Sequence, residues 1–351
     1  MGEGGDGSVG GRLGRRVLVK PDGRYLLLFE PGGSRQGRVP EEASRSRGAG
    51  ELRWHPLLRE WVTVAPWRQE RTYHPPPEHC PLCPTRPGGL ETEIPLPDYH
   101  IAVFENRFPA YAGRQGRCEV VCYTSAHRTS LGAQSVDHAR DLVEVWRDRV
   151  EDLSRSPGVR YVYVFENRGE VIGVTLHHPH GQIYGYPFVP PVIERELASS
   201  AAYLRRTRRC LYCDLLAEEI GGPRTVAGDG RWLAFVPPFA RWPYEVHLAP
   251  LAHAGGLTEL GPEESDSLAR VLIDLLRRYD RLFRRPLPYV MAMHQRPPGR
   301  GGSHYHLHIE FYPPNRSADR LKYLAGSELG AGAFLVDARA EDTARELRGL
   351  G

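Results

Sequence analysis

Between Asp137 and Leu153, apolar residues recur at Leu142, Val145, Trp146, Val150 and Leu153. This is the three-and-four spacing of a helix that buries one stripe, and Pro157-Gly158 ends it. The pattern predicts a second, basic helix over 194–209 and a long one over 262–283. Short β-branched and aromatic runs between them predict strands at Trp61–Val64, Ala102–Pro109, Cys118–Tyr123, Val159–Phe165, Trp232–Val236, Tyr244–Ala249 and Tyr289–His294. The run Val171–Leu176 predicts one more strand, leading into His177-His178-Pro-His-Gly-Gln182. If that segment stays extended, alternation puts His178, His180 and Gln182 on one face, and Gly181 leaves the space beside His180 open to a phosphate. Residues 1–50 have no apolar period beyond Tyr25–Phe29 and are rich in Gly, Arg and Ser, which predicts a mobile basic extension.

The order of elements after residue 194 repeats the order before it. Cys80 to Cys210 is 130 positions, His127 to His253 is 126, and His178 to His304 is 126. Each half therefore carries a C-x-x-C pair, a histidine some forty residues on and a later His-x-His. Two thiolates with two imidazoles make a closed tetrahedral zinc set, structural rather than catalytic. The predicted sets are Cys80, Cys83, His127 and His178, and Cys210, Cys213, His253 and His304. On that register His180 and His306 are the free counterparts. His180 is followed by Gly and is the candidate nucleophile; His306, in a more hindered apolar run, is its retired counterpart.

Composition narrows the function classes. At 351 residues there is room for two core-forming units, and 46 Lys+Arg against 43 Asp+Glu leave no global pull toward nucleic acid or membrane. No stretch approaches the roughly twenty apolar residues of a membrane span, so a soluble, cytoplasmic protein is expected. In that reducing setting four of the 6 cysteines read as metal ligands, and Cys118 and Cys122 as buried thiols.

The His178-Pro-His-Gly-Gln182 string, the Phe165-Glu-Asn-Arg-Gly169 turn, Phe311-Tyr-Pro-Pro314 and Asn106-Arg-Phe-Pro109 resemble the histidine-triad superfamily in its nucleotidyltransferase branch. The nearest likeness is to the galactose-1-phosphate uridylyltransferases, over about residues 51–335. The resemblance implies an α/β (α+β) fold of two duplicated halves, each with an antiparallel sheet, packed helices and a zinc site. The divisions are 1–50, 51–193, 194–335 and a C-terminal helix or tail at 336–351. It implies that UMP is exchanged between UDP-glucose and galactose 1-phosphate, by a ping-pong route through a uridylyl-His180 intermediate with Gln182 on a phosphoryl oxygen. It further implies substrate contacts at Arg68, Arg71, Asn106, Asn167, Thr175, Lys322 and Glu328, and a homodimer in which Arg68 and Arg71 serve the partner's site. Some relatives hold a second metal with Glu and three His. Glu196, His294 and His308 stand at three of those places and Glu310 at the fourth, but the Cys2His2 arrangement is the one expected. Two rivals remain open: an ADP-glucose-type phosphorylase using the same histidine, and a non-catalytic two-zinc module carrying the basic run Arg205–Arg209.

Overall fold

The protein is described here as a computed structural model covering residues 13–37, 48–300 and 304–351. In chain order the elements begin with β1 (Leu13–Val19), β2 (Tyr25–Pro31), β3 (Arg35–Gln36) and the separate hairpin β4 (Glu51–His55) and β5 (Glu60–Val64). They continue through β6 (Ile101–Glu105), β7 (Arg117–Cys122), α1 (Val136–Ser154), β8 (Tyr161–Arg168) and β9 (His180–Tyr186). The second half holds α2 (Pro191–Thr207), α3 (Leu211–Glu219), β10 (Thr225–Gly228), β11 (Trp232–Phe235), β12 (Val246–Pro250), α4 (Pro262–Leu282), β13 (Tyr289–His294), β14 (His308–Tyr312) and α5 (Ala340–Arg348).

The two halves do not keep separate sheets. They join in one twelve-stranded sheet of order β10-β11-β12-β14-β13-β8-β9-β7-β6-β2-β1-β3, antiparallel apart from the short β1–β3 pairing. The seam is β8 against β13, where Phe165 lies opposite Ala292. Those two residues are themselves counterparts: Phe165 pairs with Gln182 on β9, and Ala292 with Glu310 on β14. A residue facing its own counterpart marks a two-fold relation between the halves. Sharing the seam removes two sheet edges that would otherwise stand unpaired.

Residues 13–36, expected to be mobile, are part of this sheet. Leu26 to Phe29 are fully or almost fully buried and β2 pairs with β6 along its length. A run as short as Tyr25–Phe29 cannot show from sequence that an edge is waiting for it. The remainder of the predicted extension, 1–12 and 38–47, lies outside the described residues.

Alternation along the strands sorts the side chains into two layers. Leu27, Phe29, Val103, Val121 and Ile183 join the core under α1 and α4, whose own apolar stripes run through Leu142, Trp146 and Val150 and through Leu268, Leu272 and Leu276. Ser135 caps α1 by accepting from the His138 N–H. Leu26, Leu28, Phe104, Val120 and Cys122 point to the opposite face, against Cys80, Leu82 and Tyr99. His180 and Gln182 pair with Cys122 and Val120 and so share that second face.

Candidate functional site

The predicted strand at Val171–Leu176 is not formed. Gly169 and Gly173 both take positive φ around a single 3-10 turn, and β9 begins only at His180. The chain thus enters the sheet at His180 itself. Gly181 faces the helical core, away from His180: a Cβ there would lie 2.2 Å from Tyr123 Oη and 3.1 Å from the Phe165 carbonyl oxygen. The expectation that its bareness serves an approaching phosphate is therefore corrected; the close packing of Tyr123 requires it.

His178 turns toward Cys83, its Nδ1 3.5 Å from the Sγ, and His127 Nδ1 lies 3.3 Å from the same sulfur. Cys80 completes a group whose donor atoms all lie within 4.8 Å of one another. Zn–S and Zn–N bonds of about 2.3 and 2.0–2.1 Å meeting at the tetrahedral angle put S and N roughly 3.5 Å apart, so the spacing suits zinc. His178 Nε2 donates to the Thr124 carbonyl at 2.7 Å, which leaves the Nδ1 lone pair facing the sulfurs. Burial lowers His178 to about 4, so the ring is neutral and ready to ligate. Burial and the adjacent Cys80 push the Cys83 thiol up to about 12, a cost that a dication among these ligands reverses.

The second half repeats this arrangement with one difference from the sequence subtraction. Cys213 Sγ is 3.4 Å from His253 Nδ1 and 3.4 Å from His306 Nδ1, and His306 Nε2 donates to the Pro250 carbonyl at 2.9 Å. The fourth ligand position belongs to His306, while His304 meets Cys210 only through its backbone carbonyl. The reason is register: one extra residue precedes β13 and another lies between β13 and β14, so counting 126 positions stops two short. His306 is consequently not the retired nucleophile. That place is His308, whose Nδ1 donates to the His306 carbonyl at 2.9 Å, as His180 Nδ1 donates to the His178 carbonyl at 2.7 Å.

Around His308 the second half has become an ion network. Glu310, in Gln182's place, lies 3.4 Å from His308 Nε2 and 3.3 Å from His247 Nε2, and Glu196 accepts from His294 Nδ1 at 2.9 Å. Burial opposes charge on His294, yet Glu310 and Glu196 raise it to about 9. Glu196, His294, His308 and Glu310 thus form a group distinct from the Cys2His2 set, and both exist side by side.

In the first half, among the described residues, no carboxylate pairs with His180 as Glu310 does with His308. Burial lowers His180 below the ordinary imidazole value, and its Nδ1–H is held by the His178 carbonyl, so Nε2 keeps its lone pair. Tyr184 Oη donates to Gln182 Oε1 at 3.2 Å, which occupies the amide oxygen and leaves the amide N–H groups to donate. His180 stands where two cavities meet. The larger, about 680 Å³, is lined by Arg128, Thr129, Ser130, Asn167, Gly169 and His177; the smaller, about 110 Å³, by Arg68, Arg71, Asn106, Thr175 and Gln182.

The structure thus gathers Arg68, Arg71, Asn106, Asn167 and Thr175 about His180 within one chain, whereas the sequence reading sent both arginines across a dimer. Arg68 is anchored by its bond to the Phe108 carbonyl at 2.9 Å, and burial together with the Arg68 charge lowers Arg71. Asn106 closes a local turn by accepting from the Phe108 N–H at 2.8 Å. Lys322 and Glu328 are not brought there; they pair with each other at 3.7 Å beside Trp242. Sequence reasoning missed Tyr184, Thr124 and the Thr129-Ser130 loop. Of these only Tyr184 carries a signal, since alternation puts it on Gln182's face.

The family profiles described as galactose-1-phosphate uridyl transferase, N-terminal domain, and galactose-1-phosphate uridyl transferase, C-terminal domain, match residues 110–190 and 196–351. The Streptomyces lividans galactose-1-phosphate uridylyltransferase is 44% identical over 345 residues, covering 87% of this chain and 96% of the relative. That from Thermotoga maritima is 40% identical over 318 residues, covering 85% and 98%. The chain belongs to the galactose-1-phosphate uridylyltransferase family. A solved uridylyltransferase structure, 32% identical, superposes with a TM-score of 0.77 over 86% of this chain and 98% of the other. An ADP-glucose phosphorylase from Arabidopsis thaliana with bound ADP-glucose, 22% identical, shares the fold with a TM-score of 0.68 over 86% and 98%. Among the described residues no helix is long and apolar enough to cross a membrane. The family's antiparallel sheet-and-helix architecture is the one observed, with the halves fused at β8–β13.

Proposed function

We propose that this uridylyltransferase moves UMP between UDP-glucose and galactose 1-phosphate, with His180 as the nucleophile. The observation that carries the reading is a neutral imidazole whose Nδ1–H is fixed at 2.7 Å to the His178 carbonyl, at the junction of two cavities. His180 Nε2 attacks the α-phosphorus of UDP-glucose, the bond from phosphorus to the bridging oxygen breaks, and glucose 1-phosphate leaves. Nδ1 keeps its proton throughout, and the His178 carbonyl takes up the charge that grows on the ring. Gln182 donates its amide to a phosphoryl oxygen, and Arg68 and Arg71 offset phosphate charge, where fixed donors act without reorganising. A phosphate oxygen of galactose 1-phosphate then attacks the same phosphorus, giving UDP-galactose and free His180. Thr175 donates its hydroxyl to a phosphoryl oxygen beside Gln182, and Asn106 and Asn167 contact the nucleotide.

The two Cys2His2 sets hold zinc. Both are four-ligand sets with no place for water, so their work is to fix the entry to β9 at His178 and the run before β14 at His306 against their cysteine pairs. Thiolate ligands of this kind suit a reducing, cytoplasmic compartment. A homodimer fits the exposed apolar hairpin β4–β5, where Trp54, Leu57, Leu58, Trp61 and Val62 stand in solvent in the single chain. Lys322 and Glu328 line neither cavity and pair with each other, so the geometry does not support a sugar-phosphate contact by them beside His180.

The test is to mix the protein alone with UDP-glucose radiolabelled in the uridylyl group. An acid-labile, base-stable adduct is expected, absent in His180→Gly. If only ADP-glucose labels the protein, it is a phosphorylase-like adenylyltransferase; if neither does, His180 is not a nucleophile.

A further inference from the structure

Away from the two cysteine sites and the Glu196–His294–His308–Glu310 network, the described residues hold a further group with metal-ligand character that the proposed reaction does not use. His74 Nδ1 lies 3.2 Å from His177 Nε2, and that same Nε2 lies 3.3 Å from Glu170 Oε1. All three donor atoms lie within 4.8 Å of one another. We propose that His74, His177 and Glu170 bind a divalent cation of the zinc class, and that this cation ties the arginine-bearing segment to the run that delivers His180.

The spacing is that of ligands. Bonds of about 2.0–2.1 Å meeting at the tetrahedral angle put neighbouring donor atoms roughly 3.3–3.4 Å apart, close to both observed distances. Hydrogen bonding alone serves this arrangement poorly. His177 Nε2 faces an imidazole nitrogen and a carboxylate oxygen at once, and its single N–H can satisfy one of them well, whereas a cation satisfies all three donors. An N2O set of imidazoles and carboxylate selects borderline ions such as Zn2+ or Co2+ over Mg2+ or Ca2+.

The backbone supplies a second argument. His74 has φ 44°, a left-handed conformation that is strained for a residue with a Cβ. Its N–H is held by the Thr175 carbonyl at 2.9 Å, and Tyr73 packs edge-on at 4.1 Å between ring centroids. The outcome of that strain is a ring aimed at His177. Strain of this kind persists where the surroundings demand it, and here it brings two ligands from distant parts of the chain together.

Position gives the site its consequence. His74 lies three residues after Arg71, and His177 three before His180. Three protein ligands leave one tetrahedral position for an oxygen ligand, and His177 also lines the larger cavity that reaches His180. Occupancy therefore sets how closely the arginine segment is held to the nucleophile. The assignment rests on the donor atoms and the His74 backbone and does not depend on the reaction proposed above.

The experiment counts bound metal. The full-length protein is dialysed against a mild chelator, equilibrated with Zn2+ or Co2+, and assayed for metal after gel filtration, beside His74→Ala and Glu170→Gln. The wild type is expected to hold one more equivalent than either variant. Its weakest site should bind more tightly than in the variants by more than the 10–100-fold that loss of an outer partner typically costs. Co2+ in that site should show no thiolate-to-metal charge-transfer absorption, which separates it from the cysteine sites. Glu170 is exposed, so Glu170→Gln keeps the test meaningful if His74→Ala folds poorly. Equal stoichiometry and affinity in wild type and in a folded Glu170→Gln would overturn the assignment, whether or not the cysteine sites are loaded.

Discussion

Gly181→Ala separates two explanations of the glycine inside the His-Pro-His-Gly-Gln string. A methyl group at 181 would sit 2.2 Å from Tyr123 Oη and 3.0 Å from its Cζ, and Tyr123 is fully buried under α1. The ring cannot swing into solvent, so the sheet and α1 must part or Tyr123 must shift. Overpacking of this kind costs about 1–3 kcal/mol. A shifted Tyr123 also gives up its hydrogen bond to Glu166 Oε2, 3.3 Å long and buried, at a further cost of about 1–3 kcal/mol. A loss on the order of 3 kcal/mol is expected, read as a lower urea midpoint with unchanged slope and a melting point lower by roughly 4 °C. Tyr123→Phe removes the atom that clashes first. The double variant Tyr123→Phe/Gly181→Ala should therefore be more stable than the sum of the single effects, by about 1 kcal/mol or more. If Gly181→Ala unfolds at the wild-type urea concentration and only KM rises, the glycine serves an approaching phosphate and the packing argument is wrong. Strict additivity in the cycle would refute it as well.

Two further outcomes follow from the geometry. His306→Ala should cost one tightly bound metal equivalent while His304→Ala keeps both, checked by metal analysis after gel filtration; the reverse would restore the 126-residue register. Glu105 is the basis of a pH prediction. Burial pushes its carboxyl up to about 7, so the folded state holds that proton more tightly than the unfolded chain. This contribution is fully present below the ordinary carboxylate range and is lost as the pH rises through 7. Glu105→Gln should therefore match wild type in urea unfolding at pH 4 and exceed it by up to roughly 3 kcal/mol at pH 8, and equal stability at both would show that Glu105 ionises freely.

The sequence by itself determined the chemistry on offer and its duplication. C-x-x-C pairs, spaced histidines and the His-Pro-His-Gly-Gln string are local, and strand alternation places His180 and Gln182 side by side without knowledge of the rest of the fold. Helices with clear stripes, α1 and α4, were legible for the same reason: their period depends only on burying one face. What depended on partners was not. Tyr25–Phe29 became a central-layer strand because β6 offered an edge, and nothing within five apolar residues announces that edge. The choice of His306 over His304 was decided by strand pairing, since a sheet counts by hydrogen-bonded register and tolerates inserted residues in the connections, whereas subtraction along the chain does not. Gly181 was misread because alternation tells that it faces away from His180 but not that a buried tyrosine waits there. The contrast between the halves was settled the same way. Gln182 and Glu310 occupy equivalent strand positions, and only their surroundings, a cavity flanked by arginines in one case and a cage of histidines in the other, leave His180 neutral and open while His308 is locked in an ion network.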